Sequence, residues 1–251
     1  MNSITVGAIV FACLFGGALL GTTLRVALPS SHLANDSKEA VKVGMGLVAT
    51  MVALVLGLLV ASAKSAYDAQ SNELTQMSAK IVLLDRVLAH YGPETKEARD
   101  MVRNSTTRIL DQGWSKQSNG GTQLDPRSAG GDIVYEKIQG LSPKDDRQRA
   151  LQVQALQIGT SLAEMRWLMY EQETTSVSVP LLIAMVFWLT ALFISFGLFA
   201  PRNETVVASF FIAALSVSGA IFLIVEMYTP YAGIIKISSA PLRFALAQLG
   251  A

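Results

Sequence analysis

Chemistry in this chain begins with Glu226, which follows the twenty-one uncharged residues Thr205 to Val225 and precedes Met227-Tyr228-Thr229-Pro230. A carboxylate at the end of so apolar a run needs a partner or contact with water. Lys64 closes another such run, Val43 to Ala63, and is the first choice of ion-pair partner; a carboxylate facing headgroup water is the alternative. Arg25 closes a third run, Ile4 to Leu24, where a snorkelling anchor is commoner than an ion-binding group. Little else points to reactivity. His32 and His90 belong to no metal-ligand spacing, and Cys13 is the single cysteine, so neither a metal centre nor an intramolecular disulfide is expected. The chain lacks a phosphate-cradling loop, a nucleophile elbow and the kinase and dinucleotide signatures. Asp145-Asp146 suits the field at a helix start better than catalysis. No catalytic residue, cofactor or enzymatic activity is expected.

The elements that must position Glu226, Lys64 and Arg25 are those runs themselves, with a fourth from Val177 to Ala200. None contains Asp, Glu, Lys or Arg, and about 20 residues suffice to cross a ~30 Å hydrocarbon core as a helix. The leader Met1-Asn2-Ser3 has no basic residue and its run exceeds a signal-peptide core, so the first helix reads as retained. The expected fold is all-α, a polytopic membrane protein with four transmembrane helices arranged 2 + 2. They enclose a central cytoplasmic helical bundle formed partly by extensions of the membrane helices. The corresponding segments are 1–63, 64–176, 177–225 and a C-terminal tail, 226–251.

Charge is almost balanced in the middle, which holds fourteen of the 20 Lys and Arg and fifteen of the 19 Asp and Glu. That argues against a nucleic-acid partner. Four crossings put both termini and the central segment on one side. The loop Arg25 to Lys42 and the connection Pro201-Arg202-Asn203-Glu204 lie on the other. Lys64, Lys80, Arg166, Lys236 and Arg243 then mark the cytoplasmic side against Arg25, Lys38, Lys42 and Arg202. The expected location is the bacterial inner membrane.

The second helix continues past the bilayer, since Ala61 to Tyr91 has neither Pro nor Gly. Tyr67, Leu74, Ile81 and Leu88 recur every seven residues; Met77, Leu84 and Tyr91 follow three later, with Gln70 interrupting that row. Such an a/d seam packs helices knobs-into-holes. Gly92-Pro93 should end it. A helix from Pro93 to about Asp111, a glycine-rich loop from Gly113 to Gly131 and a short helix at Ile133 to Ile138 follow. Ser142-Pro143 starts a return helix to about Glu173, with Leu151, Ile158 and Met165 spaced by seven.

Ala49, Ala53, Gly57, Ala61 and Ser65 recur every four residues along the second helix, and Gly17 and Gly21 repeat the spacing in the first. Small residues let backbones approach closely in lipid. Packing within the chain, contact between subunits and the wall of a narrow pore are the three readings of this stripe.

Gly57-Leu-Leu-Val-Ala-Ser-Ala-Lys-Ser-Ala-Tyr-Asp68 and the ending from Glu226 to Arg243 resemble a bacterial bestrophin-like family. In that ending the matching positions are Glu226, Pro230, Gly233, Lys236, Ser238 and Pro241-Leu242. Many members have an acidic residue near Gln76 and an arginine matching Arg86, so Gln76 departs from the pattern. The resemblance implies a remote relation to bestrophins, pentameric anion channels with a hydrophobic neck in the second membrane helix and a cytosolic helical domain. No acidic cluster resembles the bestrophin calcium clasp, so calcium gating is not implied.

Two functions compete. One is a homo-oligomeric channel for an anion such as chloride, with Val52 to Leu59 as an apolar constriction that gates by dewetting. The other is a non-conducting scaffold or sensor, anchored in the lipid bilayer and recruiting proteins through the seam from Tyr67 to Tyr91. The apolar tail residues Ile234, Ile235, Leu242, Phe244 and Leu246 suit either the membrane surface or the helical bundle.

Overall fold

The computed structural model describes residues 2–29, 35–114, 130–174, 179–201, 203–231 and 233–250. Every regular element among them is helical. They form two compact units, one within 1–65 and 176–228 and the other within 66–175 and 229–251.

The first unit contains α1 (Ser3–Ala27), the opening half of α2 (Asn35–Tyr91), α6 (Val179–Phe199) and α7 (Glu204–Met227). Each of the four is long and apolar enough to cross a membrane. α1 and α7 start on side-chain caps: Asn2 accepts from the Ile4 amide at 3.3 Å and Asn203 from the Val206 amide at 2.9 Å. Hydroxyls along these helices bond their own backbone, as Thr190 does to the Val186 carbonyl at 2.7 Å and Ser218 to that of Leu215 at 3.0 Å. With no water to serve them, that local bond is the least costly one.

α1 is the centre of this unit and lies against both α6 and α7. The α1–α6 contact is backbone on backbone. A Cβ added at Gly21 would collide with the Ile194 carbonyl, and one at Gly197 with the Ala18 carbonyl. At Gly17 it would sit 3.2 Å from the Thr190 methyl. Against α7, Gly7 leaves 3.2 Å to the Phe222 Cβ, and Phe11, Phe15 and Phe211 form a ring cluster with centroids 5.4–5.7 Å apart. The unit's outer surface stays apolar: Val43, Leu54, Ile183, Phe187 and Ile212 are all more than 60% exposed. An aqueous surface seldom carries so large a patch.

The second unit is built on the rest of α2, with α3 (Lys96–Trp114), α4 (Gly131–Gln139), α5 (Asp146–Thr174) and α8 (Ala240–Gln248). Leu74, Met77, Ile81, Leu84 and Leu88 are buried in its core, with Tyr67 packed at the margin, and Tyr91 is buried as well. α2 ends at Gly92, whose φ of 139° suits glycine, followed by a short 3-10 turn over Pro93–Thr95. There the buried Thr95 hydroxyl donates to the Leu88 carbonyl at 2.6 Å, satisfying one of the helix's last acceptors. The Gln148 amide nitrogen donates to another, the Tyr91 carbonyl, at 3.0 Å.

Four helix boundaries depart from the sequence reading. α1 runs on to Ala27 and α2 begins at Asn35, so the connection is shorter than Arg25 to Lys42. α5 starts at Asp146 rather than beside Ser142, because the Asp145 carboxylate takes the Gln148 amide at 2.6 Å while the Gln148 side chain accepts from the Lys144 amide at 2.8 Å. A carboxylate with a reciprocating Gln makes the better cap. α3 extends to Trp114. Most of the glycine-rich segment, residues 115–129, lies outside the described residues, as do His32 and Arg202.

The close α1–α6 approach yields a mutational contrast. Gly197→Leu should cost about 1–3 kcal/mol by forcing the two backbones apart. Gly16→Leu, at a position with nothing within 4 Å of its added Cβ, should leave stability nearly unchanged. Unfolding of the detergent-solubilised chain by both variants measures this; equal losses would contradict it.

Candidate functional site

The α2 segment of the first unit is built differently from its neighbours. Its apolar window is 11% buried, against 33%, 39% and 22% for α1, α6 and α7. Val52, Leu59 and Ala63 turn into the unit's core. Ala53, Gly57, Ala61 and Ser65 are exposed, Ala49 partly so, and nothing lies within 4 Å of a Cβ added at Gly57. Among the described residues, only Ala49 of this stripe packs against the unit's core. Four residues advance an α-helix by about 40° beyond a full turn, so a period of four winds around it. Ala49 thus stands near the buried edge, and Ser65 stands well round from it. Of the expected constriction, Val52 and Leu59 face inward, and Ala53, Leu54, Gly57 and Leu58 are the exposed residues.

The charged residues at the helix ends have distinct surroundings. Arg25 donates to the Ala200 carbonyl just past the end of α6, the negative pole of that helix. It is a helix-end clamp within the unit. Glu226 is 2% exposed, far more buried than an interfacial carboxylate facing water. Lys64 is exposed, and both residues have polar or electrostatic neighbours. Beside them the Ser62 and Tyr228 hydroxyls lie 3.2 Å apart, joining the ends of the α2 span and α7.

In the second unit the seam from Leu74 to Tyr91 is interior, so those apolar residues present little surface to a partner. Gln70, which interrupts the heptad row, is buried as well, and its carbonyl oxygen has no hydrogen bond among the described residues. Sequence reasoning missed an anchor for the tail. Asp85 is 1% exposed and takes a two-pronged bond from Arg99, at 2.7 and 2.9 Å. The same carboxylate accepts from the Gly250 amide at 3.3 Å, and Arg103 donates to the Leu249 carbonyl at 3.0 Å. Trp114 donates to the Ile237 carbonyl at 2.7 Å and meets the Tyr231 ring edge-on. The tail therefore packs within this unit: Tyr231, Ile237, Leu242 and Leu249 are in its core, and α8 lies on α3. Ile234 and Phe244 remain exposed. An Asp fourteen residues before an Arg carries no sequence signature, which is why the pair was not visible earlier.

The ending singled out by resemblance serves as a structural turn. The Ile237 amide donates to the Pro230 carbonyl at 2.9 Å, Gly233 takes a φ of 90°, and the Ser238 hydroxyl accepts the Ala240 amide at 3.2 Å. Pro241 then stands in the first turn of α8, where its missing N–H costs nothing.

The fold and this arrangement of apolar spans define a polytopic, all-helical membrane protein with a helical bundle. The profile of the bestrophin-like domain matches residues 12–242, and the chain belongs to that family. No curated protein matches it. Among solved structures it is similar to a bacterial bestrophin homolog from Klebsiella pneumoniae, crystallised as a point mutant, with a TM-score of 0.63 at 11% identity. The likeness covers 94% of this chain and 97% of that one, and at this identity it is a likeness of fold.

The Asp85 anchor is testable by itself. Asp85→Ala should cost about 1.5–3 kcal/mol, the range for hydrogen bonds to a charged group. It should also speed hydrogen exchange in Ala240–Gln248 more than in α5. Unchanged exchange in that helix would refute the anchor.

Proposed function

We propose that this chain is one subunit of a homo-oligomeric anion channel in the bacterial inner membrane, with its pore around the outward face of α2. The membrane helices are arranged 2 + 2. The second unit, the tail and both termini are cytoplasmic. Chloride is the expected ion, and the lipid bilayer and further copies of the chain are the expected partners. No catalytic step is assigned to it.

One observation carries this reading: α2 is the least covered of the four apolar helices. Lipid gives apolar side chains no reason to hide, so burial in a membrane protein reflects packing alone. A helix that packs so little within its own subunit, and carries small residues on its open side, is suited to pack against copies of itself. Ala53 and Gly57 leave room along the axis of such a ring, and Leu54 and Leu58 supply apolar girth for a constriction controlled by wetting. The likeness in fold to a bestrophin homolog supports the same direction. Fold does not fix function, so it is the open face of α2 that supports the channel reading. Lys64 and Glu226 remain the preferred ion pair at the cytoplasmic ends of α2 and α7. The scaffold alternative drew on the seam from Tyr67 to Tyr91, most of which is buried inside the second unit.

Purified protein in liposomes should pass chloride above the level of empty vesicles. Gly57→Leu should cut that flux about tenfold or more by narrowing the apolar girdle. Flux equal to empty vesicles across several pH values and potentials would end this reading.

A further inference from the structure

Within the second unit lies a cavity of about 340 Å³, between α2, α3, α4 and α5. This space is half open, with the exposed residues Asp132, Tyr135, Glu136 and Thr160 at its rim, and it has the dimensions of a small-molecule site. Its walls are mainly aliphatic, with Ile81, Val102, Ile109 and Val134 among them. Room is left because Gly159 and Ala163 face it from α5.

Among the described residues, one cation lines this space. Arg166 lines it, and its guanidinium rests on the backbone of Gly131, in the volume that a Cβ there would need. Its Nε is buried with no hydrogen-bond partner among the described residues, while the side chain as a whole is half-buried. Burial pushes its pKa down, against the opposing pull of Asp132. A buried N–H without an acceptor is unfavourable, and a planar carboxylate matches the donors of a guanidinium best. Asp132 and Glu136 also line the cavity. Their charges disfavour a phosphate or dicarboxylate, where a second negative charge would face them, and leave a monoanion as the fitting ligand.

We propose that this cavity binds an apolar monocarboxylate of the medium-chain fatty acid class, its carboxylate on Arg166 and its aliphatic chain against Ile81, Val102, Ile109 and Val134. The site lies wholly inside one unit and does not depend on the channel reading. Such a ligand would join α4 and α5 to the seam of α2 through one bound molecule, stabilising this unit by mass action.

Calorimetric titration of the full chain in lipid nanodiscs, with empty nanodiscs as blank, tests the proposal using decanoate. Saturable binding of one decanoate per chain is expected. Decanol, which keeps the chain but lacks the charge, should bind about ten- to a hundredfold more weakly, as should decanoate to Arg166→Gln. Ala163→Phe, which fills the cavity, should abolish binding. If Arg166→Gln does not fold, the decanol comparison on the unaltered chain decides the role of charge. No saturable heat above the blank, decanol binding as tightly as decanoate, or unchanged binding to Ala163→Phe would each overturn the proposal.

Discussion

Backbone contact between α1 and α6 is the interaction on which the first unit depends. In lipid an apolar side chain gains nothing by being buried, so helices stay together only where their backbones come close enough for dense packing. Gly17 and Gly21 of α1 and Gly197 of α6 make that possible, because side chains at two of these places would strike carbonyl groups. α7 adds ring contacts on another side of α1. With α1 engaged by α6 and α7, α2 is held by few inward residues, and most of its small stripe is exposed among the described residues.

The second unit obeys the opposite rule. Here the heptad positions of α2 organise a core of aliphatic side chains from four helices and the tail. Polar bonds then fix what apolar contact alone would leave loose. Asp85 joins α2, Arg99 and the backbone at Gly250, and Trp114 holds the loop at Ile237. Short helices such as α8 are marginal on their own, so docking is what keeps it formed.

Much of this architecture could be read from residues in order, because the physics that sets it is local or periodic. Unbroken apolar runs, the seven-residue spacing from Tyr67 to Tyr91 and the Gly92-Pro93 stop each determine an element without reference to the rest. What could not be read depends on three-dimensional partners. The period of four in Ala49 to Ser65 suggested a single face, but the winding of the helix spreads it around the axis. The start of α5 moved to Asp146 because Gln148 reciprocates the Asp145 cap. The burial of Glu226 and the docking of the tail required knowing which side chains meet, and neither follows a spacing rule.

The central claim is that the open side of α2 faces other copies of the chain around water. Cys13 is the only cysteine, so Cys13→Ser gives a background in which Gly57→Cys carries a single thiol. A charged, membrane-impermeant thiosulfonate reacts with thiolate, which forms in water and not in hydrocarbon. Reaction of that thiol in intact membranes, at a rate well above that of a cysteine placed at Phe187 on the outer face of α6, is the predicted result. A thiol at position 57 as inert as the one at position 187 would contradict the account.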